Sequence, residues 1–307
     1  MITKHLCNLF DLNINSHADI EFIDIDISRD TPLFLDPCLI YTNESSLSQV
    51  ARATLEDYMD QLYGFGRQIP HCANLDSLVS HLGERNEARL GYGNGLNGKG
   101  STPEGMIQLL TPLPSLIQDG IPMNHPIDLP IFLPDFAEDR MTDMLVNILF
   151  MILSDFTQMQ CQVYGIATHP ISQRRYFWNT VTHSWEIYSG NCLEIEGHII
   201  LLIPKQWVRP RYYYRPEQYL QVYICGRLQE ERAEYIDGKE ILIPKKEIAH
   251  DEISITGSVI NANRYYTAKY PELLNLYHKE MPNAYLSRGM SDADLDAIVY
   301  RNIDITA

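Results

Sequence analysis

Hydrophobic and polar residues follow two different periods along the chain. In DIEFIDIDIS, residues 19–28, isoleucines alternate with aspartates, which predicts a half-buried strand. RRYFWN and SWEIYS flank TVTH, and this pattern predicts a β-hairpin. In residues 45–63 the apolar positions recur as they do on one face of a helix. Strands and helices are mixed without regular alternation, so the predicted fold is α+β, a mixed or antiparallel sheet with packed helices.

Capping residues mark the starts of further helices. Asn74 is the predicted N-cap of one helix, and Thr102 is the predicted N-cap of another, with a proline directly after it. Pro271 and Ser291 mark the starts of two helices near the end of the chain. Residues 112–134 contain six prolines, and we expect them to form an extended connector.

The segment PDFAEDRMTDMLVNILFMIL predicts the most apolar helix, over residues 135–157, with Asp135 as its N-cap. Asp143 and Asn147 lie about 40° and 80° around the helix from Asp139, so the three form one polar stripe. Because nearly every other position is apolar, the helix is buried on most sides and its stripe faces a cleft or a buried partner. Two interpretations follow. Either the stripe is a metal or phosphate site, or Asp143 pairs with an arginine and Asn147 is a satisfied core amide.

One sixteen-residue pattern occurs twice. LEIEGHIILLIPKQWV, residues 193–208, aligns without gaps on AEYIDGKEILIPKKEI, residues 233–248, with five identities. Each copy predicts a turn, a buried strand, and a Pro-Lys exit at Lys205 or Lys245 into the next element. The copies are either a true duplication or two uses of one supersecondary unit.

Length and composition limit the class of protein. A chain of 307 residues with 45% hydrophobic and 21% charged residues is globular. It forms either one large domain or two closely packed lobes. The predicted N-terminal α/β lobe, residues 1–134, holds a glycine-rich loop and the proline-rich connector. The C-terminal α+β lobe, residues 135–307, holds the apolar helix and the two strand-Pro-Lys units. The absence of a signal peptide and of a long apolar run predicts a soluble, cytoplasmic protein.

Charge and cysteine spacing exclude some functions. The net charge of −16 disfavours broad adhesion to nucleic acid or acidic membranes, although a local basic groove is compatible with it. None of the six cysteines occurs at CxxC spacing. This argues against a zinc ribbon and a disulfide framework, and it predicts reduced, mostly buried thiols.

A basic and aromatic segment, PKQWVRPRYYYRP, covers residues 204–216 in this acidic chain. Guanidinium groups hold phosphates and aromatic rings stack on bases, so the segment is a candidate contact for nucleic acid. The predicted nucleic-acid-binding residues are Arg209, Arg211, Tyr213 and Arg215. In the alternative interpretation, this is a proline-bounded loop whose tyrosines pack on the sheet.

The glycine-rich segment GYGNGLNGKGS, residues 91–101, only partly matches a phosphate-binding P-loop. Lys99 occupies the lysine position of GxxxxGK, but Gly100 stands where that motif needs serine or threonine. Glu104 would repel phosphate from the first turn of the following helix. We therefore predict no ATPase activity, and we interpret the segment as a flexible loop or a turn near a site.

Acidic residues and a lysine supply the groups that a metal-dependent nuclease needs. Such enzymes bind Mg²⁺ with two or three carboxylates and place a lysine near the attacking water. We predict Asp139, Asp143 and Glu196 as magnesium ligands. Asp143, Glu194 and Lys205 are the predicted catalytic residues, with Lys205 stabilising the charge that develops on phosphorus.

Several blocks resemble those of an uncharacterised group of bacterial cytoplasmic proteins with a suggested link to defence. The blocks are FIDIDISRDTPLFLDP, EARLGYGNGLNGKG, EDRMTDMLVNIL and ILLIPKQWV. The resemblance implies a bacterial, cytoplasmic origin. It also implies that Asp139, Asp143, Asn147 and the Pro-Lys strand ends recur in the group.

Three functional hypotheses follow from these features. The first is a magnesium-dependent phosphodiesterase or nuclease that acts on nucleic acid, in bacterial defence. The second is a non-enzymatic interaction subunit of a bacterial complex, whose acidic face binds a basic protein. The third is a sensor that binds a small nucleotide in the cleft of the glycine-rich loop. Nucleic acid and protein are therefore the candidate partners, and a membrane is not. The surroundings of Asp143 discriminate between these hypotheses.

Overall fold

Helices form most of the chain in the computed structural model, which describes residues 4–69, 72–91, 102–237, 239–286 and 290–300. The helices of the first half are α1 (Leu6–Leu9), α2 (Pro37–Thr42), α3 (Ser46–Gly66), α4 (Leu75–Val79), α5 (Pro103–Leu110), α6 (Leu113–Gln118), α7 (Asp128–Phe132), α8 (Glu138–Ile148) and α9 (Phe150–Tyr164). Those of the second half are α10 (Pro216–Tyr219), α11 (Cys225–Glu231), α12 (Lys245–Thr256), α13 (Val259–Lys269), α14 (Glu272–Leu286) and α15 (Asp292–Val299). Short 3-10 helices cover His17–Asp19 and Lys205–Trp207, and a π-helix covers Leu220–Ile224.

The strands are short and antiparallel. They are β1 (Phe34–Leu35), β2 (His169–Pro170), β3 (Tyr176–Asn179), β4 (Ser184–Ile187), β5 (Asn191–Ile195), β6 (His198–Ile200), β7 (Val208–Arg209), β8 (Glu234–Ile236) and β9 (Lys239–Ile241). Strands β2, β5 and β6 form a three-stranded sheet, and β1–β7, β3–β4 and β8–β9 form pairs. The predicted α+β fold, with an antiparallel sheet and packed helices, is confirmed.

Local capping signals were predicted well. Asn74, Thr102 and Ser291 cap α4, α5 and α15 as predicted, each accepting a backbone N–H from the first turn. Ser45 caps α3 in the same way. The β3–β4 hairpin lies where RRYFWN and SWEIYS predict it. These elements depend on neighbours within a few residues, so the local sequence is sufficient to specify them.

The apolar helix forms the centre of the core, but it is broken. The pattern predicts one helix over 135–157, whereas α8 ends at Ile148 and α9 starts at Phe150, bent by 76° from α8. Five predicted core side chains are at most 6% exposed: Met144, Leu145, Ile148, Leu149 and Ile152. None of the described helices is long and apolar enough by itself to cross a membrane. The α8–α9 pair passes that test of length and composition only as a bent pair.

The start of α8 corrects the predicted cap. Asp135 has a φ of 59°, which is left-handed, and it lies before the helix begins. Ala137 is the N-cap, and its side chain makes no capping hydrogen bond. Glu138 and Asp139 instead place negative charge in the first turn, where the helix dipole favours it.

Residues 19–28 do not form the predicted half-buried strand. Phe22 and Asp26 make only isolated bridges, with Pro204 and His5. Odd-numbered and even-numbered residues are both buried, and Asp24 is only 2% exposed. The carboxylate of Asp24 accepts hydrogen bonds from the Cys7 amide and from a tyrosine hydroxyl near the C-terminus. The alternation of aspartate and isoleucine therefore does not mark a strand with one solvent-exposed face. It reflects aspartates that are buried and have hydrogen-bond partners.

The proline-rich connector contains helices, contrary to the extended conformation that its composition predicts. Within residues 112–134, α6 starts directly after Pro112 and α7 includes Pro130. Proline is compatible with the first turn of a helix because the amides there have no partner within the helix. The six prolines therefore break the segment into short helical turns.

The two copies of the repeat both form a hairpin before the Pro-Lys pair. The first turn begins at Glu196, and the second begins at Asp237, one residue later than the ungapped alignment places it. Lys205 and Lys245 each start a helix, and both predicted strands belong to sheets. Their surroundings differ, since residues 199–203 are buried whereas residues 239–243 are exposed.

The boundary at residue 134 between two lobes stays a prediction. The structure joins the two segments at several points. Strand β1 pairs with β7, and the Ile23 amide donates to the Ile203 carbonyl at 3.0 Å. Arg209 lies 3.8 Å from the buried carboxylate of Asp36. These contacts are backbone pairing and buried polar contacts, which resemble the interior of one domain.

All six cysteines are free thiols, as predicted from their spacing. Five are buried, and Cys72 is half-buried. Burial raises the pKa of Cys161 and of Cys225 to about 11, so both thiols stay protonated near neutral pH.

A half-buried histidine lies beside α7. The Asp128 carboxylate accepts the amides of Asn124 and His125 at 2.9 and 2.8 Å, and it meets His278 Nε2 at 2.6 Å. The ring of His125 packs 4.3 Å from that of Tyr41. Burial lowers the pKa of His125 to about 4, even though Asp128 raises it. The folded protein therefore holds His125 neutral.

This histidine predicts a loss of stability in mild acid. Its unfolded-state pKa is about 6.5, above the folded value, so the unfolded chain binds a proton first. The stabilising effect is complete above pH 6.5 and is lost as the pH falls towards 4. We expect His125 to lower the free energy of unfolding by about 2 kcal/mol between pH 8 and pH 5. Urea unfolding of His125→Phe should show a smaller pH dependence, and the exposed His250→Phe should match the wild type. An unchanged slope in His125→Phe would contradict this assignment.

Candidate functional site

The polar stripe of α8 holds the segment that precedes the glycine-rich loop. Asn147 is completely buried. Its Oδ1 accepts from Arg85 Nε at 2.5 Å, and its Nδ2 donates to the carbonyls of Gly83 and Asp143 at 2.7 Å. Each polar atom of the amide therefore has a partner, and the chain at residues 83–85 is fixed to the core helix.

Asp143 binds the same segment. It is half-buried, and its Oδ1 accepts from the Arg85 amide at 3.3 Å. Its negative charge also favours the charged form of the Arg85 side chain. Asn147 thus has the contacts of a core amide, whereas Asp143 meets Arg85 through its backbone amide, and its pairing with an arginine side chain stays a prediction.

Arg85 begins a chain of ion pairs. Its Nη1 lies 3.6 Å from Glu87 Oε1, and the same oxygen lies 2.5 Å from Arg175 Nε. Arg175 Nη2 also donates to Gln173 Oε1 at 2.8 Å. Arg85 lies 5.5 Å from the centre of the Phe150 ring. Burial lowers the pKa of Arg85, more than Glu87 raises it. One buried carboxylate therefore serves two guanidinium groups.

Arg89 is the buried cation that lacks such a partner. It is 4% exposed, and its φ of 49° is left-handed. Its backbone is fixed to Thr31, whose amide donates to the Arg89 carbonyl at 2.9 Å. Its Nε has no hydrogen-bond partner in the described part of the chain, where the side chain also forms no ion pair. A buried charge without a counter-ion is costly, so the site favours an anion.

These side chains line one polar cavity of about 360 Å³. Arg85, Arg89 and Arg175 face Glu84 and Glu87, which leaves an excess of one positive charge when histidine is neutral. The remaining lining residues are Asn86, Gln173, His198 and Ile199. The walls come from the segment 84–89, the approach to β3, and the start of β6. We call this space the arginine cavity.

A family model described as Domain of unknown function (DUF8370) matches residues 12–215, about two thirds of the chain. The chain belongs to this family. The resemblance to an uncharacterised family is thereby confirmed. No curated protein and no solved structure matches the chain. The DUF8370 match contains the whole lining of the arginine cavity, and it leaves α10 to α15 outside.

The predicted magnesium ligands of the DUF8370 domain have separate surroundings. Asp139 is exposed and lies beside Gly91. Its Oδ1 is 3.2 Å from the position that a Cβ atom would take if residue 91 had a side chain. Glu196 is exposed in the β5–β6 turn and binds Lys4 Nζ at 2.7 Å. Across the described ranges, no group of three histidine, cysteine, aspartate or glutamate side chains could hold one metal ion. The structure thus does not bring Asp139, Asp143 and Glu196 together.

The predicted catalytic residues contact different partners. Glu194 is half-buried on β5, opposite Ile199 of β6. Lys205 Nζ donates to the His17 carbonyl at 2.6 Å and lies 3.0 Å from Asp292 at the start of α15. Lys205 therefore fixes the C-terminal helix, whereas Asp143 fixes the segment before the glycine-rich loop.

The basic-aromatic segment is largely internal. Arg209 is 3% exposed and stacks 3.6 Å from the centre of the Tyr213 ring, near Asp36. Tyr213 is half-buried, and the tyrosine on each side of it is buried. Arg211 and Arg215 are exposed. Of the four predicted nucleic-acid contacts, these two arginines project into solvent.

Lys99 and residues 92–101 of the glycine-rich loop lie outside the described residues, so their role stays a prediction. The structure does describe the residues on either side of the glycine-rich loop. Gly91 follows the cavity wall, and its amide donates to the Thr31 carbonyl at 2.9 Å. On the other side, Thr102 caps α5 as expected.

Sequence reasoning missed the arginine cavity because its parts are distant in the chain. The segment ERNEARLGY appears only polar, yet it carries two arginines four residues apart just before the glycine-rich loop. The four-residue spacing of these arginines was the one local signal of the cavity. Arg175 and His198 approach only through the antiparallel strands that follow α9, which no local pattern specifies.

Replacing Asn147 tests whether this amide holds the cavity segment. Asn147→Ala leaves a buried guanidinium nitrogen and the Gly83 carbonyl without their partner, so we expect a loss of about 2–4 kcal/mol in the free energy of unfolding. Asn8→Ala, at an exposed position of α1, should change it by less than about 0.5 kcal/mol. Urea unfolding of both variants gives the measurement. A loss below 1 kcal/mol for Asn147→Ala, on the scale of one ordinary hydrogen bond, would show that the segment is held mainly by other contacts.

Proposed function

We propose that this DUF8370 chain binds a small phosphorylated ligand in the arginine cavity, in the manner of a nucleotide-binding sensor. The observation that carries the proposal is Arg89, a buried guanidinium whose Nε has no partner among the described residues and which lines a cavity with two further arginines. An anion bound to the Arg89 guanidinium in the cavity would supply the counter-charge that the described residues do not provide.

The chemistry of the lining favours phosphate over other anions. Guanidinium groups present planar, paired N–H donors that match phosphate oxygens, and they keep their charge when buried. Glu87 already orients Arg85 and Arg175, so the two side chains are fixed before a ligand arrives. Such preorganisation reduces the entropy that binding costs.

The position of the cavity in the sequence supports a nucleotide. The glycine-rich segment begins at Gly91, two residues after Arg89. Glycine allows a backbone to approach phosphate closely because it has no side chain. Because this segment lacks the P-loop hydroxyl, we expect binding without ATP hydrolysis.

The other two hypotheses stay predictions. For a magnesium-dependent nuclease in bacterial defence, the deciding measurement is metal-dependent cleavage of DNA or RNA that Asp143→Asn abolishes. For an interaction subunit, it is a basic protein partner. The geometry supports the sensor better, because Asp143 binds the wall of the arginine cavity, whereas Lys205 binds Asp292 at the start of α15.

Arg89→Met tests the proposed function. We expect inorganic phosphate, AMP or ATP to raise the melting temperature of the wild type, and calorimetry to give a dissociation constant. Methionine keeps the volume and removes the charge. Loss of charge-assisted hydrogen bonds of about 1.5–3 kcal/mol should weaken binding about tenfold or more. Without ligand, the variant should be as stable as the wild type or more stable, because it no longer buries an uncompensated charge.

Arg174→Met is the matched control. Arg174 is exposed and adjacent to Arg175, but it does not line the cavity, so binding should stay within about twofold of the wild type. If none of the three compounds binds the wild type, or if Arg89→Met binds as tightly, the proposed function is wrong. Circular dichroism verifies that both variants are folded.

A further inference from the structure

A second, smaller cavity adjoins the arginine cavity. It has a volume of about 240 Å³, and Arg89 and His198 line both spaces. Its other polar side chains are Lys4, Ser28 and Glu196. Three isoleucines, Ile27, Ile195 and Ile200, complete its lining. Arg89 therefore forms part of the wall that the two cavities share, and it is the most buried cation of both.

Lys4 can be released for a ligand at small cost. Its Nζ lies 2.7 Å from Glu196, but the two side chains are 43% and 62% exposed. Exposed ion pairs of this kind contribute about 0–1 kcal/mol, because water screens them. An anion in the second cavity would therefore compete well for the Lys4 ammonium.

We propose that the ligand carries two linked phosphates, with one phosphate in each cavity and Arg89 between them. This proposal rests on the proposed function and narrows it to diphosphate-bearing compounds. A guanidinium has five N–H donors in a planar fork, so one arginine can bind oxygens of both phosphates. Arg85 and Arg175 would hold the first phosphate, and Lys4 would hold the second.

The geometry favours a diphosphate over a single phosphate for two reasons. The Arg89 side chain lines both cavities. An anion in only one of them would therefore bind only some of the guanidinium N–H donors. The second cavity also provides its own cation, Lys4, whose side chain is 43% exposed. A single phosphate in the arginine cavity would leave Lys4 bound to Glu196.

Calorimetry with pyrophosphate and inorganic phosphate, in buffer without divalent metal, tests this inference. We expect wild-type protein to bind pyrophosphate at least about tenfold more tightly than phosphate, since one further charge-assisted interaction forms. Lys4→Met should lose most of that preference while phosphate binding stays within about twofold. Lys246→Met, an exposed lysine on α12, should keep the preference. ADP and AMP should show the same difference as pyrophosphate and phosphate.

The outcomes separate the two proposals. Equal affinity for pyrophosphate and phosphate, with both lost in Arg89→Met, overturns the diphosphate inference and leaves the proposed function standing. A preference for pyrophosphate that persists in Lys4→Met overturns the role of the second cavity. If pyrophosphate, phosphate and nucleotides all fail to bind the wild type, both proposals are wrong.

Discussion

The fold depends on hydrogen-bond partners for one buried side-chain amide, that of Asn147, within the apolar helices α8 and α9. Most of α8 and the inner face of α9 are buried, so a polar atom that faces the core needs a protein partner. Asn147 meets this requirement by binding Arg85 and the Gly83 carbonyl. Because the amide is completely buried, the segment before the glycine-rich loop cannot leave the helix without exposing unsatisfied groups. The same hydrogen bonds that stabilise the core therefore place the first arginine of the cavity.

The electrostatics of the cavity follow from that anchor. Arg85 is held beside Glu87, and Glu87 in turn binds Arg175, so one carboxylate is shared by two cations. The Arg89 side chain forms no ion pair with a described residue, although it is at least as buried as Glu87. Folding this charge into the protein opposes stability unless an anion binds. If the proposed anion site is real, Arg89 lowers the stability of the ligand-free protein in favour of binding, as expected where function and stability compete.

Local sequence predicts those parts of the fold whose determinants are local. The caps at Asn74 and Ser291 form as their residue types indicate, because each needs only the next three residues. The burial of Asp24 depends on partners far along the chain, which periodicity does not report. The site is harder still. Its acids and arginines look alike in sequence, and only tertiary packing brings the Asp143 carboxylate to the Arg85 amide.

The repeated unit shows why site residues resist local prediction. Both copies form a hairpin and a Pro-Lys exit, so the supersecondary structure follows from sequence. The first copy is covered by α9 and extended by β2, whereas the second is exposed on both strands. In the ungapped alignment, His198 of the first copy corresponds to Gly238 of the second. Only the first copy therefore supplies a side chain to the arginine cavity, and only that copy lies within the DUF8370 match. The hairpin is a reusable scaffold, and its contribution to a site is set by the residues at its turn and by what packs around it.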